Sequence, residues 1–209
     1  MTPWHKQKTK LFLAWIFANA IGGFLVGFLE SNGAQFLATL FLSGAILGTS
    51  QWLIFRWLNA KSLRWTLWPV VSALGWIVGV MLSLLVSPIK DVVLLPLQDS
   101  AWELFWINLI NQPMFIFGMA IAQGIILSYH ARHRLRALGV WLLASCTGAA
   151  LHGAIGVILC RSVCQIQPIG LGIVESKGWG LYGIITGIAL LWVLPNRAIG
   201  GKSPVAQPD

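Results

Sequence analysis

Charged side chains are scarce in this chain. They make up 10% of its 209 residues, against a hydrophobic share of 57% and a mean hydropathy of +0.77. Soluble globular domains carry about 25% charged residues, so a soluble domain is excluded and the bilayer is the expected solvent. No polar stretch of domain size is present either, which leaves a single membrane domain. Acidic residues are scarcest, 6 against 14 lysines and arginines, and none falls inside an apolar stretch. That lack weighs against an ion- or proton-coupled pump, which generally needs intramembrane carboxylates. The chain also has no His-Glu-x-x-His zinc motif, no Gly-x-Ser-x-Gly elbow and no buried acid pair, so it is expected not to be an enzyme. The first apolar stretch lacks a convincing small-residue cleavage site after it and is read as a retained helix.

A spanning helix needs roughly 20 apolar residues, and six stretches qualify: 11–29, 36–57, 67–86, 104–128, 137–160 and 179–194. Residues 195–209 form a polar tail. Lys6, Lys8 and Lys10, then Arg56, Lys61 and Arg64, then Arg132, Arg134 and Arg136, then Arg197 and Lys202 all fall on one side of these stretches. Glu30, Asp91, Asp99, Glu103 and Glu175 fall on the other, with Lys90, Arg161 and Lys177. The positive-inside rule then puts both termini in the cytoplasm. The basic loops are suited to anionic lipid headgroups, which account for the formal charge of +8 without nucleic acid.

The odd-numbered stretches repeat the pattern W-x3-[SN]-x2-G: Trp15, Asn19 and Gly22; Trp68, Ser72 and Gly75; Trp141, Ser145 and Gly148. Steps of four and three keep each set on one helical face. The even stretches carry Gly44, Gly48 and Gln51; Ala120 and Gln123; and Gly183 and Gly187, with Leu190 where a glutamine would fall. The expected fold is therefore all-α, six transmembrane helices built as three related hairpins in a pseudo-threefold bundle. Gly44 and Gly48, Gly75 and Gly79, and Gly183 and Gly187 are small-xxx-small pairs that let helix backbones approach in lipid, so packing explains them.

The polar groups within the stretches are the candidates for binding: Gln51, Gln123, His152, Asn19, Ser72, Ser145, Asn108 and Gln112, with Asn111 beside them. His152 extends the Trp141, Ser145, Gly148 stripe and faces the bundle, either ligating a group or sharing an interhelical hydrogen bond with Gln51 or Gln123. Asn108 and Gln112 share a face just before Pro113, where a kink is expected to open the mouth of a cavity. The segments 87–103 and 161–178 are read as outer connections, either of which serves as a lid if it folds over such a cavity. Cys160 and Cys164, one helical turn apart, are candidates for a disulfide on the oxidising side, whereas Cys146 lies inside a helix. His130 and His133 lack further ligands nearby in sequence, so no metal site is expected, and Trp4, Trp57, Trp65, Trp102, Trp106, Trp179 and Trp192 fit interfacial belts.

The Gly44-x3-Gly48-x2-Gln51-Trp52 and Trp68-x3-Ser72-x2-Gly75-Trp76 motifs resemble those of small multi-pass membrane proteins of bacteria, many of them cyanobacterial, which implies an inner or thylakoid membrane. In size and helix number the chain is also similar to the substrate-binding components of energy-coupling-factor transporters. Three functions stay open at this point: a bundle that binds or passes a small apolar or amphipathic ligand, an accessory or assembly subunit of a larger membrane complex, and a pigment or haem binder using His152.

Overall fold

The computed structural model describes residues 3–35, 38–57, 63–98 and 100–194. Lys61, Asp99, Arg197, Lys202 and the tail 195–209 lie outside them, as do the first two residues of the 36–57 stretch. The fold is helical. α1 spans Pro3–Leu29, α2 Ser43–Trp57, α3 Leu63–Thr66, α4 Trp68–Leu85, α5 Ser87–Leu94, α6 Glu103–Ser128, α7 Arg134–Val163 and α8 Gly170–Val193. Two π-helical turns, Glu30–Ala34 and Ala38–Leu42, link α1 to α2. Gly33 sits in the first at φ 89°, where a side chain would clash with the backbone.

Four helical segments are long and apolar enough to cross a membrane: Lys6–Ala34, Trp68–Leu85, Glu103–Ser128 and Arg134–Val163. Their outward faces fit that solvent. Leu13, Phe17, Ile21 and Leu25 recur every four residues along α1 and are all exposed, as are Val70, Leu74 and Val78 on α4. Such apolar stripes suit lipid or an apolar partner surface. α2 is shorter, at 15 residues. α8 has 24 residues, but six glycines, Glu175 and Lys177 dilute its apolarity.

Each of the longer helices packs on the next in the chain: α1 on α2, α2 on α4, α4 on α6, α6 on α7 and α7 on α8, and α8 returns to α1. The result is a closed ring of helices in sequence order. Glycine permits the close approaches. A Cβ added at Gly79 would strike the Phe115 carbonyl, and one at Gly75 would lie 2.7 Å from the Gly118 carbonyl oxygen. Gly44 and Gly48 meet Ser72 on α4, Gly183 meets Asn19 on α1, and Gly187 meets Phe12 and Trp15. These glycines therefore face neighbouring helices, where dispersion contacts supply the packing energy.

At the centre, toward the end of the bundle that carries Arg56 and Arg132, Trp15, Trp68 and Trp141 form a triangle. Their ring centroids lie 6.2, 6.1 and 6.1 Å apart at interplanar angles of 70–75°. Each edge-to-face pair is worth about 0.5–1.5 kcal/mol beyond the area it buries. All three indoles are fully buried, with Leu11, Phe55, Leu127 and Leu190 around them. A second apolar layer, with Leu47, Trp76, Met119, Trp179 and Tyr182, lies toward the opposite end.

Two boundaries depart from the sequence reading in ways that matter for function. The connection read as 161–178 shrinks to residues 164–169, because α7 runs on to Val163 and α8 starts at Gly170. Glu175 therefore stands within a helix of the bundle, correcting the expectation that no acidic residue does so. The segment 87–103 is largely helical, with Ile89, Val92 and Val93 of α5 exposed, while Lys90 donates to Ser83 Oγ at 3.1 Å and Asn111 Oδ1 at 2.6 Å. Those bonds pin α5 against α4 and α6. α6 continues through Pro113 as one helix.

Candidate ligand-binding cleft

The structure separates the eight candidate polar residues into a sealed layer and an open cleft. The sealed layer lies between the tryptophan triangle and the second apolar layer. Gln51 Nε2 donates to Asn19 Oδ1 at 2.8 Å, and Gln51 Oε1 accepts from Trp68 Nε1 at 2.9 Å and from Gln123 Nε2 at 3.0 Å. Gln123 Nε2 also donates to Ser72 Oγ at 2.8 Å, and the Ser72 hydroxyl donates to the Trp68 carbonyl at 2.7 Å. Asn19 Nδ2 is satisfied by the Trp15 carbonyl at 2.8 Å. Asn19, Gln51, Ser72 and Gln123 are all 0% exposed. With both lone pairs of Gln51 Oε1 occupied, this layer joins helices. Four interhelical bonds at about 0.6 kcal/mol each give roughly 2 kcal/mol.

Ser145 belongs to the same layer but to neither network. Its hydroxyl neighbours that of Tyr182, yet neither oxygen reaches a partner with good hydrogen-bond geometry. Trp15 Nε1 donates to Thr186 Oγ1 at 3.0 Å, and Thr186 donates on to the Tyr182 carbonyl at 2.8 Å.

His152, Asn108 and Gln112 lie elsewhere, at a cleft of about 210 Å³ between α6, α7 and α8 that opens toward the end carrying Cys160. His152 contacts neither Gln51 nor Gln123. Its Nε2 lies 2.9 Å from Glu175 Oε2, which also accepts from Trp179 Nε1 at 3.1 Å. A carboxylate only accepts, so Nε2 is the donor in this contact. His152 Nδ1 is buried with no partner. The imidazole also packs against the Trp179 ring at 4.8 Å, and the absence of a side chain at Gly178 leaves room for it, since an added Cβ there would collide with the ring.

Val157, Leu171 and Val174 give the cleft apolar walls, and Cys160 stands at its rim. Cys160 and Cys164 are joined by a disulfide, with Cα atoms 4.7 Å apart, closing the last turn of α7. The neighbouring turn is tied to the α1–α2 connection, where Ser31 Oγ donates to the Pro168 carbonyl at 2.9 Å. Among the described residues no group of three or more His, Cys, Asp or Glu side chains is placed to hold a metal ion. At the opposite end of the bundle His130 stacks on Trp65 at 4.3 Å, and its Nδ1 lies 3.0 Å from the Ile126 carbonyl oxygen.

Glu175 and Trp179 are the site residues that the sequence reading missed. The signal was present: a Glu-x3-Trp pair on one helical face, one turn before the Gly183 and Gly187 stripe. In comparisons with known proteins, no protein-family model, no curated protein and no solved structure matches the chain.

Proposed function

We propose that this chain is a non-enzymatic membrane protein that holds a small amphipathic ligand in the cleft between α6, α7 and α8. The observation that carries the reading is the His152–Glu175 pair on the cleft wall. An ionisable pair in a helix bundle of this apolarity is costly and marks a functional position by default. Binding is favoured over passage because the indole triangle and the sealed amide layer fill the interior beneath the cleft. Nucleophilic catalysis is disfavoured because no Ser, Thr or free thiol is among the residues that line the cleft, Cys160 being oxidised. Haem or pigment ligation through His152 Nδ1 is disfavoured by the small size of the cleft. The volume of about 210 Å³ also falls below the roughly 300–1,000 Å³ of sites for drug-sized molecules.

In this reading the chain crosses the bilayer six times, as three related hairpins with both termini in the cytoplasm and the cleft facing outward. The closed ring supports the six spans, since α2 and α8 are flanked on both sides by longer neighbours. The pseudo-threefold arrangement is supported by the indole triangle and by the amides. Gln51 bonds Asn19 within its own hairpin and Trp68 of the next, and Gln123 bonds Ser72 within its own. The rule departs at the third hairpin: Gln123 Oε1 and Trp141 Nε1, which it would pair, are both unpartnered, as is Ser145 opposite Leu190. The basic loops meet anionic headgroups, with Arg136 laid over Trp192 at 4.7 Å and Arg134 over Tyr129 at 5.3 Å.

A second reading, an accessory subunit, has one observation in its favour: an apolar groove of about 340 Å³ between α1 and α2, lined by Phe17, Ile21, Leu53 and Trp57. Lipid chains fill such a groove equally well. Native mass spectrometry of the gently solubilised protein separates the two. A small molecule that survives purification should be lost in His152→Leu and kept in Gln51→Leu, whereas a stoichiometric membrane partner without ligand replaces the binding reading by the accessory one.

A further inference from the structure

Three side-chain oxygens at the cleft have no partner among the described residues. Glu175 Oε2 is occupied twice, by His152 and Trp179, but Oε1 accepts no hydrogen bond from the described residues. Asn108 uses its NH₂ on the Leu104 carbonyl at 2.8 Å, which leaves Oδ1 free. Gln112 makes no hydrogen bond with the described residues and offers a further amide oxygen. No lysine or arginine lines the cleft, and Glu175 is its one carboxylate.

We propose that the ligand is a small primary ammonium compound with a short apolar body, its cation held by Glu175 Oε1, Asn108 Oδ1 and Gln112 Oε1. The assignment rests on the cleft being a ligand site, as argued above. An ammonium has three N–H donors and no acceptor, matching three free acceptor oxygens. An anion would meet the carboxylate, and a neutral ligand would desolvate it without compensation. A bare divalent ion would find one carboxylate where several anionic oxygens are usual. Val157, Leu171 and Val174 suit a hydrocarbon of a few carbons, and the cleft volume of about 210 Å³ admits nothing much larger.

The role of His152 follows. With Trp179 it holds Glu175 by one oxygen, so the other is presented in a fixed direction. His152 and Trp179 are therefore positioning residues, and Glu175 is the contact.

The test is thermal unfolding of the full chain in detergent with three probes of one shape: cyclohexylamine, cyclohexanol and cyclohexanecarboxylate. The amine alone is expected to raise the Tm of the unmodified protein. The rise should vanish in Glu175→Gln, which keeps an acceptor for His152 and Trp179, and shrink in Asn108→Leu, a partly exposed position. Equal shifts from amine and alcohol, unchanged in Glu175→Gln, would overturn the ammonium assignment and leave a ligand cleft standing. A Tm unmoved by the amine overturns the assignment too. In that case Gly156→Trp, which fills the cleft, decides whether the cleft reading survives, according to whether it releases the small molecule seen by native mass spectrometry.

Discussion

Trp68 Nε1 donates to Gln51 Oε1 at 2.9 Å across the contact between α2 and α4, and the same oxygen receives Gln123 Nε2 from α6. One side chain thus joins three helices. Replacing it by Leu leaves the Trp68 indole N–H and the Asn19 amide oxygen buried without partners, while Gln123 Nε2 keeps Ser72. Unmet buried groups cost about 1–3 kcal/mol each at most, and lipid-embedded bonds average nearer 0.6. Gln51→Leu is therefore expected to lower unfolding free energy by about 1–3 kcal/mol in a denaturant titration in mixed micelles. A loss below about 0.3 kcal/mol would mean the layer contributes no glue.

In the proposed repeat Leu190 takes the place of Gln51 and Gln123, and the Ser145 hydroxyl that a glutamine there would meet has no partner. Trp15 Nε1, deprived of a glutamine, turns to Thr186 one turn away. Leu190→Gln should therefore be tolerated or stabilising by up to about 1 kcal/mol, the net worth of a typical hydrogen bond, whereas Gln123→Leu destabilises. If Leu190→Gln costs as much as Gln123→Leu in the same titration, the equivalence of the hairpins is wrong.

Gly79 and Gly139 make a contrast in one protein. A Cβ at Gly79 would strike the Phe115 carbonyl, a backbone atom, whereas one at Gly139 meets nothing within 4 Å. Gly79→Ala is expected to cost about 1–3 kcal/mol, as overpacking does. Gly139→Ala, in the interior of α7, should gain up to about 1 kcal/mol from helix propensity. The Tm order of the two variants against the parent is the measurement.

The Cys160–Cys164 disulfide and Cys146 give a labelling pattern. In intact cells a membrane-impermeant maleimide should fail to label the parent protein and should label it after mild reduction, since the proposed topology puts the pair at the outer end of α7. Labelling without reduction would show the bond absent; no labelling after reduction would place that end of α7 inside.

Much of the fold was legible because lipid imposes simple rules. Apolar length marked the helices, and the W-x3-[SN]-x2-G spacing identified the faces that now meet as an indole triangle with Asn19 and Ser72 beside it. The site was half legible. Asn108, Gln112 and His152 were read as polar groups facing the bundle and do line one cleft, but the sequence grouped them with Gln51 and Gln123, which close on each other. Distances between helices decide that, and periodicity within a helix carries no information about them. Glu175 was missed for a different reason. Gly170, Gly172, Gly178 and two charged residues read as a loop on propensity alone. In the bundle Gly172 receives Phe24 and Gly178 receives His152, so tertiary packing makes that segment a helix.

The indole triangle also makes the molecule its own optical gauge. Three indole rings about 6 Å apart, their planes at 70–75° to one another and screened from water, couple into a chiral near-ultraviolet signal that isolated peripheral tryptophans do not give. Loss of that signal while far-ultraviolet helicity persists would register the moment the ring of helices loosens in a given detergent, before any helix melts.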